Sequence, residues 1–124
     1  MKITIHRGTD QIGGCITEYE HEGWKLFVDY GEQLPGSSKS NPLEIEGLTN
    51  GDLTKSALLI THYHGDHIGC MKELPKELPL YIGKLGRDIQ LALSEHLSYV
   101  DENQHMIIER LNTSREFSPG QLFS

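Results

Sequence analysis

Apolar and polar residues alternate from Lys2 to Arg7 and again from Cys15 to Glu20, the period-two pattern of strands with one buried face. Gln11-Ile12-Gly13-Gly14 between them reads as a glycine turn. After a break at His21-Glu22-Gly23, Trp24 to Tyr30 reads as a third strand. Two such runs joined by a short glycine-containing loop predict a hairpin. The run Ala57-Leu58-Leu59-Ile60-Thr61 does not alternate and suits a strand covered on both faces. Ile68 to Leu74 predicts a short helix that stops before Pro75, and Leu80-Tyr81-Ile82-Gly83 a further strand. From Lys84 to about Val100, Leu85, Ile89, Leu91, Ala92, Leu93 and Leu97 recur mostly at helical spacing. Glu102 to Leu111 is read as a second helix. Ser118-Pro119-Gly120 is a turn, and Gln121-Leu122-Phe123-Ser124 is where another strand would begin. Strands come early and helices late, which predicts a layered α/β or α+β domain.

Residues 31–54 break every pattern. Pro35, Gly36, Ser37, Ser38, Asn41, Pro42, Gly47, Asn50 and Gly51 give a long loop with turn chemistry. Such a loop either borders a substrate cleft or is a surface excursion.

A length of 124 residues allows one compact domain and is short for two. No stretch approaches the ~20 apolar residues that span a bilayer, and Met1 to Arg7 has no apolar core of a secretion signal. The chain is therefore expected to have no membrane partner. Cys15 and Cys70 make no disulfide framework, and two packed, reduced thiols suit a cytoplasmic protein. Cys70 follows His67 by three residues, which puts it near the stretch discussed next. A formal net charge of -7 shows no broad basic face for nucleic acid. Bound cations would supply positive charge locally, so a phosphate-bearing substrate stays open.

The chemistry is concentrated in Thr61-His62-Tyr63-His64-Gly65-Asp66-His67-Ile68-Gly69. Imidazole nitrogen and carboxylate oxygen are ligand atoms for zinc. His62 and His64 are two apart, so an extended backbone points both to one side. Gly65 is expected to allow a sharp turn, after which Asp66 and His67 open a helix. The four side chains would then form two pairs suited to a two-metal centre. The competing reading is a solvated histidine-rich loop, which the preceding buried-type strand disfavours.

The run His62-Tyr63-His64-Gly65-Asp66-His67 resembles the His-x-His-x-Asp-His signature of the metallo-β-lactamase-fold hydrolases. Leu26-Phe27-Val28-Asp29-Tyr30-Gly31 is similar to the family's preceding strand and its terminal aspartate, and Ile12-Gly13-Gly14-Cys15 to its early glycine turn. Ser118-Pro119-Gly120 and Gln121-Leu122-Phe123 resemble the segment shortly before the family's third histidine ligand. The cadence is most similar to the ribonuclease-J-like cytoplasmic members.

The resemblance implies that residues 1–124 are the N-terminal part of an αββα sandwich, one mixed or antiparallel sheet with flanking helices, incomplete at the C-terminus. It implies that His62 and His64 hold a first metal and Asp66 and His67 a second. The ions would be one or two Zn2+, with Mn2+ or Fe2+ as alternatives. Asp66 would also orient a metal-bound hydroxide, which makes it the catalytic residue. Asp29 would accept a ring N–H of a ligand histidine; the alternative is an aspartate capping the tight turn before Gly31. The family's downstream ligands do not follow, and His96 and His105 are read as a solvated helix face rather than as replacements. Whether the chain alone is an enzyme is left open. The expected function is metal-dependent hydrolysis, with a phosphodiester of RNA type ahead of other small-molecule substrates. The alternative is a non-catalytic metal-binding or interaction module. An exposed sheet edge would also allow homo-oligomers.

Overall fold

In the computed structural model, residues 1–34 and 43–122 are described. They form a six-stranded sheet whose spatial order is its chain order. Strands β1 (Lys2–Arg7), β2 (Ile16–His21) and β3 (Trp24–Val28) form an antiparallel meander. Strands β4 (Ser56–Ile60), β5 (Leu80–Gly83) and β6 (Arg115–Phe117) extend it in parallel. Helix α1 (Gly65–Ile68) and a single 3₁₀ turn (Met71–Glu73) lie between β4 and β5. Helices α2 (Lys84–Leu97) and α3 (Asn103–Asn112) lie between β5 and β6. The sheet is mixed, as expected from the family resemblance.

The pleat sorts side chains by parity. Glu18, Phe27, Leu58 and Leu80 form one cross-strand row, and all four are buried. With Ile16, Ile60 and Ile82, the three apolar members pack against Ile68, Met71 and Leu111 from the helical segments and Leu74 and Leu78 from the loop before β5. The opposite face carries Ile3, Ile5, Tyr19, Trp24 and Leu26, and these are exposed. β4 was read as covered on both faces; instead Leu58 and Ile60 are buried whereas Leu59 is only half-buried. A continuous apolar run is compatible with either environment, because period alone does not count the layers.

Three other elements differ from the sequence reading. The helix expected over Ile68–Leu74 is α1 followed by the 3₁₀ turn. β6 was not read at all: Arg115, Glu116 and Phe117 do not alternate clearly, and the strand exists because β5 offers it an open ladder. The apolar residues of α2 do not form a closed buried face, since Leu85, Leu93 and Leu97 are exposed. The strand expected to begin at Gln121 runs into residues 123–124, outside the described residues.

The described part of the long loop borders the cleft beside His64 at Glu32, and further on it enters the core. Ile45 and Leu48 are buried in the core, with Leu43 and Leu53 packed against it. The turn is tied by Gly47 N–H to Asn50 O at 2.8 Å and by Thr49 N–H to Ile45 O at 2.9 Å. The Pro35–Pro42 stretch lies outside the described residues.

Glu18 is a charged group on the buried face. Glu18 accepts from His6 Nε2 at 2.6 Å and pairs with Lys25 Nζ at 3.3 Å. Burial alone would raise its carboxyl, but the bonds from His6 and Lys25 outweigh that and hold it below the usual carboxylate range. A depressed folded-state value means that the stabilisation is present above the unfolded value of 4.5 and is lost as pH falls through the folded one. The stability difference between the wild type and Glu18→Gln, measured by urea melts, should therefore shrink as pH drops from ~6 towards ~3. Leu48→Ala should cost about 2–5 kcal/mol in the same melts, the range for deleting a buried leucine side chain. A near-neutral result would show that the 45–49 turn is not part of the core.

Candidate metal centre

The strand β4 ends at Ile60, and the chain bends at Tyr63 before His64, whose φ and ψ are -62° and 142°. Then α1 begins. A helix of four residues cannot stand on its own hydrogen bonds, and its last carbonyls need partners from outside. Neighbouring segments supply them. Glu32 N–H donates to Gly65 O at 2.9 Å, Cys15 N–H to Asp66 O at 3.3 Å, and Tyr30 N–H to His67 O at 2.9 Å. The turn before β2 and the segment after β3 thus hold the backbone that carries Asp66 and His67. Arg7 fastens those two segments together, donating from Nε to Gly14 O at 2.7 Å and from its Nη2 to Gly31 O.

This close fit depends on missing side chains. A Cβ at Gly31 would fall on the carbonyl oxygen of Asp66, and one at Gly13, where φ is +82°, would lie 2.9 Å from Asp66 Cβ. Gly65, by contrast, has an ordinary φ, and a Cβ there would meet nothing within 4 Å. The sharp turn expected of Gly65 is therefore not what that position requires; the glycine constraint lies at Gly31.

The three imidazoles gather. The ring centroids of His62 and His67 are 4.0 Å apart, and those of His62 and His64 are 4.8 Å apart. Asp66 Oδ2 lies 3.4 Å from His67 Nε2. Asp29, buried at the end of β3 with φ at +63°, sits beneath them. Its Oδ2 accepts from His67 Nδ1 at 2.7 Å, and its Oδ1 accepts from Thr61 N–H at 2.8 Å. Thr61 Oγ1 is 2.9 Å from Asp29 Oδ2 and 2.9 Å from His62 Nδ1. Of the two readings of Asp29, the carboxylate reaches a histidine ring and Thr61; the Gly31 amide of its own turn goes to Cys15 O instead.

The donor set fits a divalent cation in one respect and falls short in another. His67 stands between two carboxylates, with Nδ1 on Asp29 Oδ2 at 2.7 Å and Nε2 3.4 Å from Asp66 Oδ2. A ring proton or a divalent cation can bridge those two atoms across 3.4 Å. That separation is about the edge of a tetrahedron whose metal bonds are ~2.0–2.1 Å, the range for zinc with nitrogen and oxygen. However, among the described residues no three His, Cys, Asp or Glu side chains are arranged to hold an ion as a group. An ion here would therefore have at most two donors from the described residues.

Two residues near the site carried no signal in the sequence beyond their neighbours. Cys15 was read as a packing residue, yet burial together with the Asp29 and Asp66 carboxylates pushes its thiol up. Thr61 was read only as a flank of the signature. Cys70 points elsewhere, towards Gly31 O at 3.4 Å, and burial and Glu73 raise its thiol. His96 and His105 are exposed on α2 and α3, away from this cluster's contacts. A cleft of about 450 Å³ opens beside His64, lined among others by Tyr63, Lys72, Gln90, Leu97 and Gln104.

Residues 27–105 match the family model of the metallo-beta-lactamase superfamily, and the chain belongs to that family. It is 31% identical over 83 residues to a ribonuclease J of Mycolicibacterium smegmatis, covering 64% of this chain and 15% of that protein. A ribonuclease J of Mycobacterium tuberculosis is 32% identical over 97 residues, covering 75% of this chain and 17% of its own length. A hydroxyacylglutathione hydrolase of Yersinia enterocolitica is 29% identical over 89 residues, covering 66% of this chain and 32% of that one. The chain thus spans about a third or less of these relatives. A solved protein of unknown function from Enterococcus faecalis superposes with a TM-score of 0.61 at 22% identity, over 82% of this chain and 31% of that one, which supports the fold.

Gly31→Ala should displace Asp66 and lower the melting temperature strongly. Gly65→Ala should be neutral or stabilise by about 0.5–1 kcal/mol, since alanine is the better residue inside a helix. Equal effects of the two substitutions in thermal melts would refute the assignment of the close approach to Gly31.

Proposed function

We propose that the chain is the metal-binding part of a hydrolase that uses a divalent cation, with Zn2+ first and Mn2+ or Fe2+ as alternatives. The observation that carries this reading is the gathering of His62, His64 and His67 with Asp66 Oδ2 3.4 Å from His67 Nε2, backed by the buried Asp29. His62 and His64 would hold one ion, and Asp66 and His67 a second. A bound divalent ion lowers the pKa of water to about 7 and polarises the bond to be broken. Asp66 is the catalytic residue proposed: its free carboxylate oxygen can orient the attacking water and accept its proton. His64 borders the cleft where a substrate would lie.

An RNA-type phosphodiester is the favoured substrate, because two of the relatives are ribonucleases J. A hydroxyacylglutathione is the competing one, on the strength of the other relative. A cytoplasmic setting suits the two free thiols. No helix of the described residues is long and apolar enough to cross a membrane. The second reading, a metal-binding module without turnover, is favoured by the two-donor arrangement, because catalytic zinc sites generally use three protein ligands.

The test is metal analysis and hydrolysis of a chromogenic phosphodiester, with and without chelator. The proposal expects bound zinc, chelator-sensitive turnover, and loss of both in the double variant His62→Ala, His64→Ala. Zinc uptake without turnover on phosphodiester, RNA or hydroxyacylglutathione supports the second reading. Unchanged metal content in the double variant would overturn the ligand assignment.

A further inference from the structure

The proton inventory around Asp29 assigns more than one histidine. An ionised carboxylate only accepts hydrogen bonds, and a threonine hydroxyl has one proton to give. Thr61 Oγ1 lies 3.0 and 2.9 Å from the two oxygens of Asp29 and 2.9 Å from His62 Nδ1. If the hydroxyl proton went to His62, the Thr61 and Asp29 oxygens would face each other with no proton between them, on a buried carboxylate. That arrangement is repulsive, because oxygen lone pairs would meet at hydrogen-bond distance in a buried setting. The proton therefore goes to Asp29, and Thr61 Oγ1 is left as an acceptor. His62 Nδ1 must then carry the hydrogen it donates to Thr61.

We propose that Thr61 is a positioning residue that relays the Asp29 carboxylate to His62 and holds that ring as the Nδ1–H tautomer, with Nε2 free. Asp29 thus sets two rings at once, His67 directly and His62 through one hydroxyl. The consequence for metal binding rests on the function proposed above; the tautomer itself does not. A ligand ring whose other nitrogen is fixed loses no freedom and needs no proton shift when a cation arrives.

The tautomer can be read without any metal. In uniformly 15N-labelled, metal-free protein at pH ~8.5, above the ordinary histidine range, long-range proton–nitrogen spectra distinguish the two forms ring by ring. The wild type and Thr61→Ser should show His62 and His67 as Nδ1–H. Thr61→Val, which keeps the shape and removes the hydroxyl, should move His62 to a mixture or to Nε2–H and leave His67 unchanged. Zinc affinity, measured by competition with a chromogenic chelator, should fall by roughly 10- to 100-fold in Thr61→Val and recover in Thr61→Ser. Nε2–H at His62 in the wild type overturns the proposal, a result that stands even if Thr61→Val does not fold. So does an unchanged His62 spectrum in folded Thr61→Val. The expected tautomers without zinc uptake by the wild type would uphold the relay and defeat the metal reading.

Discussion

A carboxylate removed from water must find hydrogen-bond donors or it destabilises the fold by several kcal/mol. Asp29 is 4% exposed, and the donors available to it are the Thr61 amide and hydroxyl and the His67 ring. Satisfying that one group brings the ends of β3 and β4 and the start of α1 to a common point. The parallel pairing of β3 and β4 sets the distance, since Val28 stands opposite Leu59 and the Asp29 amide continues the ladder to Leu59 O at 2.9 Å. The candidate ligands sit on top of this junction, so their positions follow from the sheet.

The same junction explains why the four-residue α1 exists at all. Its carbonyls are taken by amides of Cys15, Tyr30 and Glu32, and such close backbone approach leaves no room for a side chain at Gly31. Arg7 joins the two loops that supply those amides. A loop bearing several imidazoles and a carboxylate would otherwise be a flexible, solvated excursion. Here its backbone is enclosed on two sides while the side chains remain free to meet a ligand.

The match to the metallo-beta-lactamase superfamily spans the candidate site, and the mixed sheet agrees with it. The chain spans a third or less of the relatives described above, and one face of its sheet is apolar and exposed. On the proposed ligand assignment each ion has two donors, and its shell would be completed by water or by groups outside these residues. Hydrolysis and simple metal storage therefore differ in what the rest of the shell contributes, and less in the side chains already in place.

Much was legible in the chain itself. Alternation located β1 to β3, the apolar run located β4, and the spacing of His62, His64, Asp66 and His67 singled out the site, because each of these signals is local and survives without knowledge of neighbours. β6, the split helix after the signature, and the buried Leu48 were not legible. An open ladder, a helix end or an unfilled core space is a property of what lies alongside. The role of Gly31 rather than Gly65 was likewise decided by a backbone contact with a segment more than thirty residues away. Sequence by itself determined which donor chemistry is present and on which strand end it is carried. Only tertiary structure decided which ring nitrogens of His67 and His62 are engaged, because the carboxylate that meets His67 directly and His62 through the Thr61 hydroxyl is delivered by a different strand.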